Sequence, residues 1–421
     1  MRAAEAVVIV GAGQAGSDTA AALRSRRFTG PITLIGDEPH LPYQRPPLSK
    51  GYAAGSADRA DLELRPASFY ADHGIELRCG VRAVELDRST RTVVLGTGQT
   101  VRYDRLVLAT GSRPRTLPLP GLDRTGVHTL RDVDDADALR RRLVRTGDRP
   151  PLRLVIVGAG MIGLELAATA RSLGHHVTVV EALRRVLARA VTARMSAWLA
   201  EEHTRRGVRV LLGQEVEALL GGTGPNAGAE VQAVRLHSGE LIPADLVVIG
   251  VGVLPNVELA VQAGLAVGDG ILVDARLRSS DPSIHAIGDC ARFPSPYEGH
   301  PIRLESVQNA SDQARCVAAA ITGEPVAYRA VPRFWSGQFD ARLQIAGLTG
   351  GADEVVLVGD PAGGRFSLCC FRQGRLIGVE SVNRPADHGI ASRLLAEGTT
   401  LTADEVRRPG FDLKSHAVQP V

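Results

Sequence analysis

The residues in this chain best suited to chemistry are glycines and carboxylates placed to hold a dinucleotide. Val7-Val8-Ile9-Val10 runs into Gly11-x-Gly13-x-x-Gly16, and Leu154-Val155-Ile156-Val157 runs into Gly158-x-Gly160-x-x-Gly163. In such a loop the first glycine makes a tight turn, the second lets a pyrophosphate approach the backbone, and the third lets the next helix pack on the strand. The helix start then offers unpaired N–H groups and the positive end of its dipole to the anion. Ala15 lies at that start in the first copy, Met161 and Ile162 in the second. A carboxylate for the ribose hydroxyls is needed a little over ~20 residues on, after the second strand. Asp37 and Glu38 follow Ile32-Thr33-Leu34-Ile35, and Glu181 follows Val177-Thr178-Val179-Val180. One copy alone could be a glycine turn beside a surface acid. Two complete copies, a domain's length apart, indicate two dinucleotide-binding units.

Four consecutive apolar residues suit strands buried on both faces of a parallel sheet. The expected fold is therefore α/β, with two Rossmann-like dinucleotide-binding domains. Beyond about residue 326 the pattern changes to short alternating runs, Glu354 to Val358 and Phe366 to Phe371, which read as a C-terminal α+β domain. A chain of 421 residues, 44% hydrophobic and 23% charged, can bury such an interior. The net charge of +3, with both signs mixed, gives no support to a nucleic-acid partner. No apolar run reaches the roughly 18–20 residues that cross a bilayer. The run Leu246 to Leu254 is interrupted by Gly250 and Gly252. Ala6 to Val10 follows Arg2, but Glu5 and the glycine loop make it a strand and not a signal peptide, so a cytoplasmic protein without membrane partners is expected. Five cysteines with no CxxC pair give neither a disulfide framework nor a metal site. Histidines such as His300 and His388 have no telling neighbours and read as structural.

Flanking segments distinguish the two copies. Leu106-Val107-Leu108-Ala109-Thr110-Gly111 and Ile284-His285-Ala286-Ile287-Gly288-Asp289 resemble the ATG and GD signatures of the glutathione-reductase superfamily. That resemblance implies FAD on the first copy, with Asp289 on the ribityl chain. Disulfide reductases of the superfamily need two cysteines on the helix facing the flavin, yet Leu41-Pro42-Tyr43-Gln44-Arg45-Pro46-Pro47-Leu48-Ser49-Lys50 has none. This stretch is instead similar to the hallmark of the putidaredoxin reductase-like NADH:ferredoxin reductases that serve cytochrome P450 and Rieske oxygenase systems. The likeness covers nearly the whole chain, including Arg131 in an LRxxxDA stretch, Glu305 to Ala310, and Phe334-Trp335-Ser336.

The resemblance implies a discontinuous FAD domain at 1–113 and 245–326, an NAD domain at 114–244 and an interface domain at 327–421. FAD would be held by Gly11, Gly13, Ala15, Gly16, Asp37, Glu38, Arg45, Lys50, Ala83, Thr110, Gly111, Arg131, Asp289, Val307 and Trp335. NADH would be held by Gly158, Gly160, Met161, Ile162, Gly163, Glu165, Glu181, Gly250 and Gly252. Lys50, Glu165 and Trp335 would stand nearest the chemistry. The resemblance implies that Trp335 lies close to the isoalloxazine, with core packing as its alternative, whereas core packing is the preferred reading for Trp198. Met161 stands where relatives often carry an aromatic residue, so an aromatic gate over the flavin is in question there. Glu181 can accept from a 2′-hydroxyl but repels a 2′-phosphate, which favours NADH over NADPH, while Arg184 and Arg185 nearby could pull the other way.

The implied enzyme is a ferredoxin–NAD(+) reductase that passes a hydride from NADH to FAD and then single electrons to a [2Fe–2S] ferredoxin feeding a P450 or Rieske oxygenase. Arg65 and Arg315 are its candidate docking residues, and a monomer or weak dimer its expected state. An NADH oxidase or rubredoxin reductase would share these motifs. A redox-sensing flavoprotein similar to apoptosis-inducing factor is the alternative of another class.

Overall fold

Both apolar runs form central strands, for the reason their composition gives. Val7–Val10 is buried along its whole length, and Arg153–Val157 is buried after its first residue. The computed structural model describes residues 5–145, 147, 149–222, 229–398 and 401–416. It divides into two compact units, one of residues 1–44, 60–113 and 254–332, the other of 45–59, 114–253 and 333–421.

In the first unit a five-stranded parallel sheet runs in the order Ile284–Ala286, Arg105–Leu108, Val7–Val10, Ile32–Ile35, Ile75–Arg78. Val7 pairs with both Ile32 and Arg105, so the central strand is flanked in register on each side. Val8 and Val10 pack with Leu86, Val93 and Leu95 of a small antiparallel sheet. Ile9 points the other way, toward helix Gln14–Ser25 at Gly16. Helix Val307–Ile321 packs along Gln14–Ser25 and is capped by the Ser306 hydroxyl, which accepts from the Asn309 N–H.

The second unit repeats the plan. Its parallel sheet runs Arg209–Leu212, His176–Glu181, Arg153–Val157, Leu246–Ile249, Val127–His128. Val155 and Val157 meet Leu219, Val234 and Ile242 of another small antiparallel sheet, and Ile156 faces helix Met161–Ser172 at Gly163. Each fully buried Val, Leu or Ile in these layers contributes roughly 1.5–3 kcal/mol of transfer free energy. Main-chain pairing of Leu246–Ile249 with Arg153–Val157 places that strand in the second unit, and the first resumes only at Leu254. Residues 45–59 likewise belong with the second unit.

The C-terminal part is a five-stranded antiparallel sheet, Arg333–Gln338, Ala341–Gly347, Arg375–Val382, Arg365–Arg372, Glu354–Asp360, with helix Pro385–Glu397 packed on it. Alternating burial was expected over Phe366 to Phe371, yet all six residues are buried. Both faces of that strand are covered. Phe366 meets Trp198 of helix Ala193–Arg205 edge to face at 5.1 Å, while Ser367, on the opposite face, donates to Asp387 at 2.7 Å. Trp198 thus packs as expected, with its indole N–H donating to the Pro361 carbonyl.

Glu380 is a fully buried carboxylate in the same sheet. It accepts from the Thr192 N–H and hydroxyl, both at 2.7 Å, and from the Thr349 hydroxyl at 2.6 Å. Burial outweighs these donors and raises its pKa above the ordinary 4.5. Below the unfolded value the group is neutral in both states and costs nothing; above the folded value the native state must carry a buried charge. The melting temperature of Glu380→Gln should therefore improve relative to the unaltered protein as pH rises from about 4 to about 8. A pH-independent difference in calorimetric scans would contradict this account of Glu380.

Candidate functional site

Gly11 has φ +111°, and a Cβ there would lie 2.0 Å from the Ala109 carbonyl oxygen. At Gly16 a Cβ would lie 1.9 Å from the Gly11 oxygen. The fold itself demands both glycines. Gly13 is different, since a Cβ there would meet nothing within 4 Å. The second copy repeats this: Gly158 has φ +106° with the Gly250 oxygen at 2.3 Å, Gly163 has the Gly158 oxygen at 2.2 Å, and Gly160 has only the Gly250 oxygen, at 4.0 Å. The open space before each middle glycine fits a group that comes from outside the chain. Helices Gln14–Ser25 and Met161–Ser172 begin there with no side-chain cap and no acid in the first turn, which suits a pyrophosphate.

In the first unit the other expected FAD residues gather at the carboxyl ends of the parallel strands. Gly36 approaches Ala12 so closely that a Cβ on it would lie 2.6 Å from the Ala12 Cβ, which sets Asp37 and Glu38 beside the glycine loop. Tyr43 donates to Glu38. Thr110 donates to the Asn256 carbonyl at 2.6 Å, and the Asn256 amide returns a bond to the Thr110 carbonyl, fixing the turn at Gly111. Asp289 follows Gly288, at φ +72°, and accepts from the Ser112 hydroxyl at 2.7 Å. Gln313 holds that turn by accepting from the Gly288 N–H at 2.7 Å. Val307 opens helix Val307–Ile321, and Ala83 is buried at the start of strand Ala83–Asp87. No spacing in the sequence pointed to Ser112 or Gln313, because both act across large sequence separations.

In the second unit Glu181 ends its strand and accepts from the Ala159 N–H at 2.7 Å and the Leu183 N–H at 2.9 Å. Its carboxylate therefore sits against the glycine loop. Arg185 is turned inward onto the Val191 and Ala188 carbonyls, whereas Arg184 is exposed. Met161 is half-buried and Ile162 exposed at the helix start. Gly250 follows strand Leu246–Ile249 with its oxygen against Gly158, and Gly252, at φ +101°, continues that loop.

The cysteine-free segment also lies in the second unit. Pro46–Ser49 forms a 3-10 turn, for which two prolines with fixed φ are preorganised. Lys50 ends it, donating to the Pro46 carbonyl at 3.0 Å and to Glu165 at 2.6 Å. Glu165, buried on helix Met161–Ser172, also accepts from the Ser49 hydroxyl at 2.6 Å and the Ser336 hydroxyl at 2.7 Å. Arg45 donates to the Arg131 carbonyl at 2.5 Å. Trp335 is 46% exposed, which argues against the core-packing reading.

Arg65 and Arg315 are both engaged with carboxylates. Arg65 donates to Asp18 at 2.8 Å and to the Ser17 hydroxyl at 2.9 Å, and Arg315, 64% exposed, pairs with Asp312. Four of the five cysteines are buried and Cys79 partly so; burial pushes the thiols of Cys316 and Cys369 up to about 11 and about 12. Among the described residues no cluster of ligands could hold a metal ion.

The two kinds of glycine separate in a mutational test. Gly163→Ala forces a Cβ into the Gly158 carbonyl and should destabilise the protein by about 1–3 kcal/mol or more. Gly160→Ala should leave the melting temperature in the absence of nucleotide unchanged but raise the Kd for NADH about tenfold. Unchanged NADH binding in Gly160→Ala would contradict the nucleotide-site reading.

Residues 5–314 match the family model described as pyridine nucleotide-disulphide oxidoreductase, and residues 333–417 match the one described as reductase C-terminal. Rhodocoxin reductase of Rhodococcus erythropolis is 49% identical over 97% of this chain and 93% of its own. Among solved structures, the ferredoxin reductase for the CYP199A2 system from Rhodopseudomonas palustris has a TM-score of 0.93 at 46% identity, over 98% of this chain and all of its own. The covalent putidaredoxin reductase–putidaredoxin complex has a TM-score of 0.93 at 38% identity, over 98% of both chains. The chain therefore belongs to the pyridine nucleotide-disulphide oxidoreductase family, whose cofactors are FAD and a nicotinamide nucleotide, and within it to the ferredoxin reductases.

Proposed function

We propose that this protein is an NADH-dependent reductase that supplies electrons, through FAD, to a [2Fe–2S] ferredoxin serving a cytochrome P450 or Rieske oxygenase. The observation that carries this reading is the Pro46–Lys50 segment. Where disulfide reductases need a redox-active cysteine pair, this chain sets Ser49 and Lys50 on Glu165. With no thiol there to relay electron pairs, the one-electron chemistry of the flavin is left to meet a one-electron acceptor.

When bound, FAD would supply the chemistry that links two-electron transfer from a nicotinamide to one-electron transfer to an iron–sulfur protein. The chain's own task is placement. Gly11, Gly13 and Gly16, with Ala15 at the helix start, receive the FAD pyrophosphate. Asp37 and Glu38 take the ribose, and Ala83, Thr110, Gly111, Asp289 and Val307 complete the set in the first unit. Gly158, Gly160, Met161, Ile162 and Gly163 receive the nicotinamide dinucleotide, Glu181 its adenosine ribose, and Gly250 and Gly252 border the same loop. Glu165, paired with Lys50, stands at the nicotinamide. By the motif resemblance, Arg45, Lys50, Arg131 and Trp335 would also hold the flavin.

The expected division into an FAD domain, an NAD domain and an interface domain is kept as a functional proposal, with the FAD segment resuming at Leu254. Arg315, the more exposed of the two docking candidates, is the better placed to meet an acidic ferredoxin. Among the described residues no helix is long and apolar enough to cross a membrane, and a cytoplasmic location is proposed on the sequence reading.

NADH is the proposed donor because the Glu181 carboxylate, itself held by two backbone N–H groups, occupies the position a 2′-phosphate would approach. In steady-state assays kcat/KM should be higher for NADH than for NADPH. Glu181→Ala should lower the NADH value about tenfold and leave the NADPH value equal or higher. Equal losses for both nucleotides would remove Glu181 as the discriminating residue.

A further inference from the structure

We infer that Ser336, Gln338 and His203 are positioning residues for Glu165, joined in a one-way chain of hydrogen bonds that fixes the carboxylate through the oxygen Lys50 and Ser49 leave. The inference deepens the reading of Glu165 as the carboxylate at the nicotinamide and rests on it.

Strand Arg333–Gln338 alternates, so Ser336 and Gln338 share one face and Trp335 and Gly337 the other. Ser336 and Gln338 are buried, while Trp335 and Gly337 are exposed. Ser336 Oγ lies 2.7 Å from Glu165 Oε1, Gln338 Nε2 lies 3.0 Å from Ser336 Oγ, and His203 Nε2 lies 2.9 Å from Gln338 Oε1. Lys50 and Ser49 take the other oxygen, Oε2, each at 2.6 Å.

The direction of the chain follows from what each atom can do. A carboxylate only accepts, so Ser336 must spend its one hydrogen on Glu165 and accept from Gln338. The Gln338 NH₂ therefore faces Ser336 and its carbonyl faces His203. That carbonyl also only accepts, so His203 carries its hydrogen on Nε2. Its Nδ1 is buried with no partner, which leaves the ring neutral, and burial correspondingly lowers its pKa. Each donor thus points toward Glu165, and bonds aligned in this way strengthen one another.

Burying a serine, a glutamine and a histidine in one run costs free energy unless every member is bonded, and apolar residues would fill the same volume at less cost. Beyond this run the His203 ring packs edge to face on Phe339. The common endpoint of the three side chains is the buried carboxylate. Held through both oxygens by two separate segments, with His203 of a third behind them, Glu165 keeps one rotamer while NADH enters and leaves.

The test uses the FAD-loaded full chain in anaerobic stopped flow, reading flavin reduction by saturating NADH and, separately, reoxidation by ferricyanide. Ser336→Ala removes one hydrogen bond to a charged group and should slow reduction about tenfold. The Kd for NAD+, from flavin difference spectra, should rise with it, while reoxidation and FAD content stay as in the unaltered protein. Ser336→Thr, which keeps a hydroxyl, should restore most of the rate. Gln338→Leu, one step further out, should show a smaller loss in the same direction. Reduction at the unaltered rate in Ser336→Ala and Gln338→Leu overturns the inference, as does equal slowing of both half-reactions with a lowered melting temperature. Glu165→Gln separates the two levels. If it too reduces normally, the placement of Glu165 at the nicotinamide fails; if it alone is slow, only the chain from His203 fails.

Discussion

A glycine loop can receive a pyrophosphate only where strand, turn and helix approach more closely than any side chain allows, and this structure meets that constraint twice. The Gly11 oxygen occupies the place of a Cβ on Gly16, and the Gly158 oxygen that of a Cβ on Gly163. These contacts set each helix so that its first N–H groups face outward beside Gly13 and Gly160, where the chain leaves space that it does not use. The parallel sheets, their registers and the small antiparallel sheets that cover them all serve to hold those two turns.

The second constraint is the buried carboxylate Glu165. It lies one turn into the helix that the second glycine loop opens, and a proline-stiffened 3-10 turn and an antiparallel strand each contribute a residue that holds it. The segment that carries cysteines in thiol-dependent relatives carries here the cation and hydroxyl that satisfy Glu165. Loss of the thiols thus accompanies a different use of the same stretch of chain, and this separates electron transfer to an external protein from disulfide reduction.

Much of this was legible in the sequence, because it depends on local chemistry. Four apolar residues ahead of Gly11 and Gly158 specify a strand buried on both faces, and the carboxylates after the second strands sit beside the glycine loops. Pairing across long separations was not legible. Leu246–Ile249 could be assigned to a sheet only from its register with Arg153–Val157. Burial of the whole run Phe366 to Phe371 depended on Trp198 and Asp387 covering opposite faces of one strand. Ser112, Gln313 and His203 carry no local signal, since each matters only through a partner more than twenty residues away. The exposure of Trp335 follows from strand alternation once Ser336 is known to face inward.

The central claim is that electrons enter as a pair and leave singly to an iron–sulfur protein. It is tested most directly by mixing the NADH-reduced, FAD-loaded protein anaerobically with an excess of oxidised [2Fe–2S] ferredoxin and counting reduced clusters by their absorbance. The account predicts two ferredoxins reduced per NADH consumed, faster than the same reduced protein is oxidised by air-saturated buffer. Reduced protein that leaves the ferredoxin oxidised while reacting readily with oxygen would contradict it.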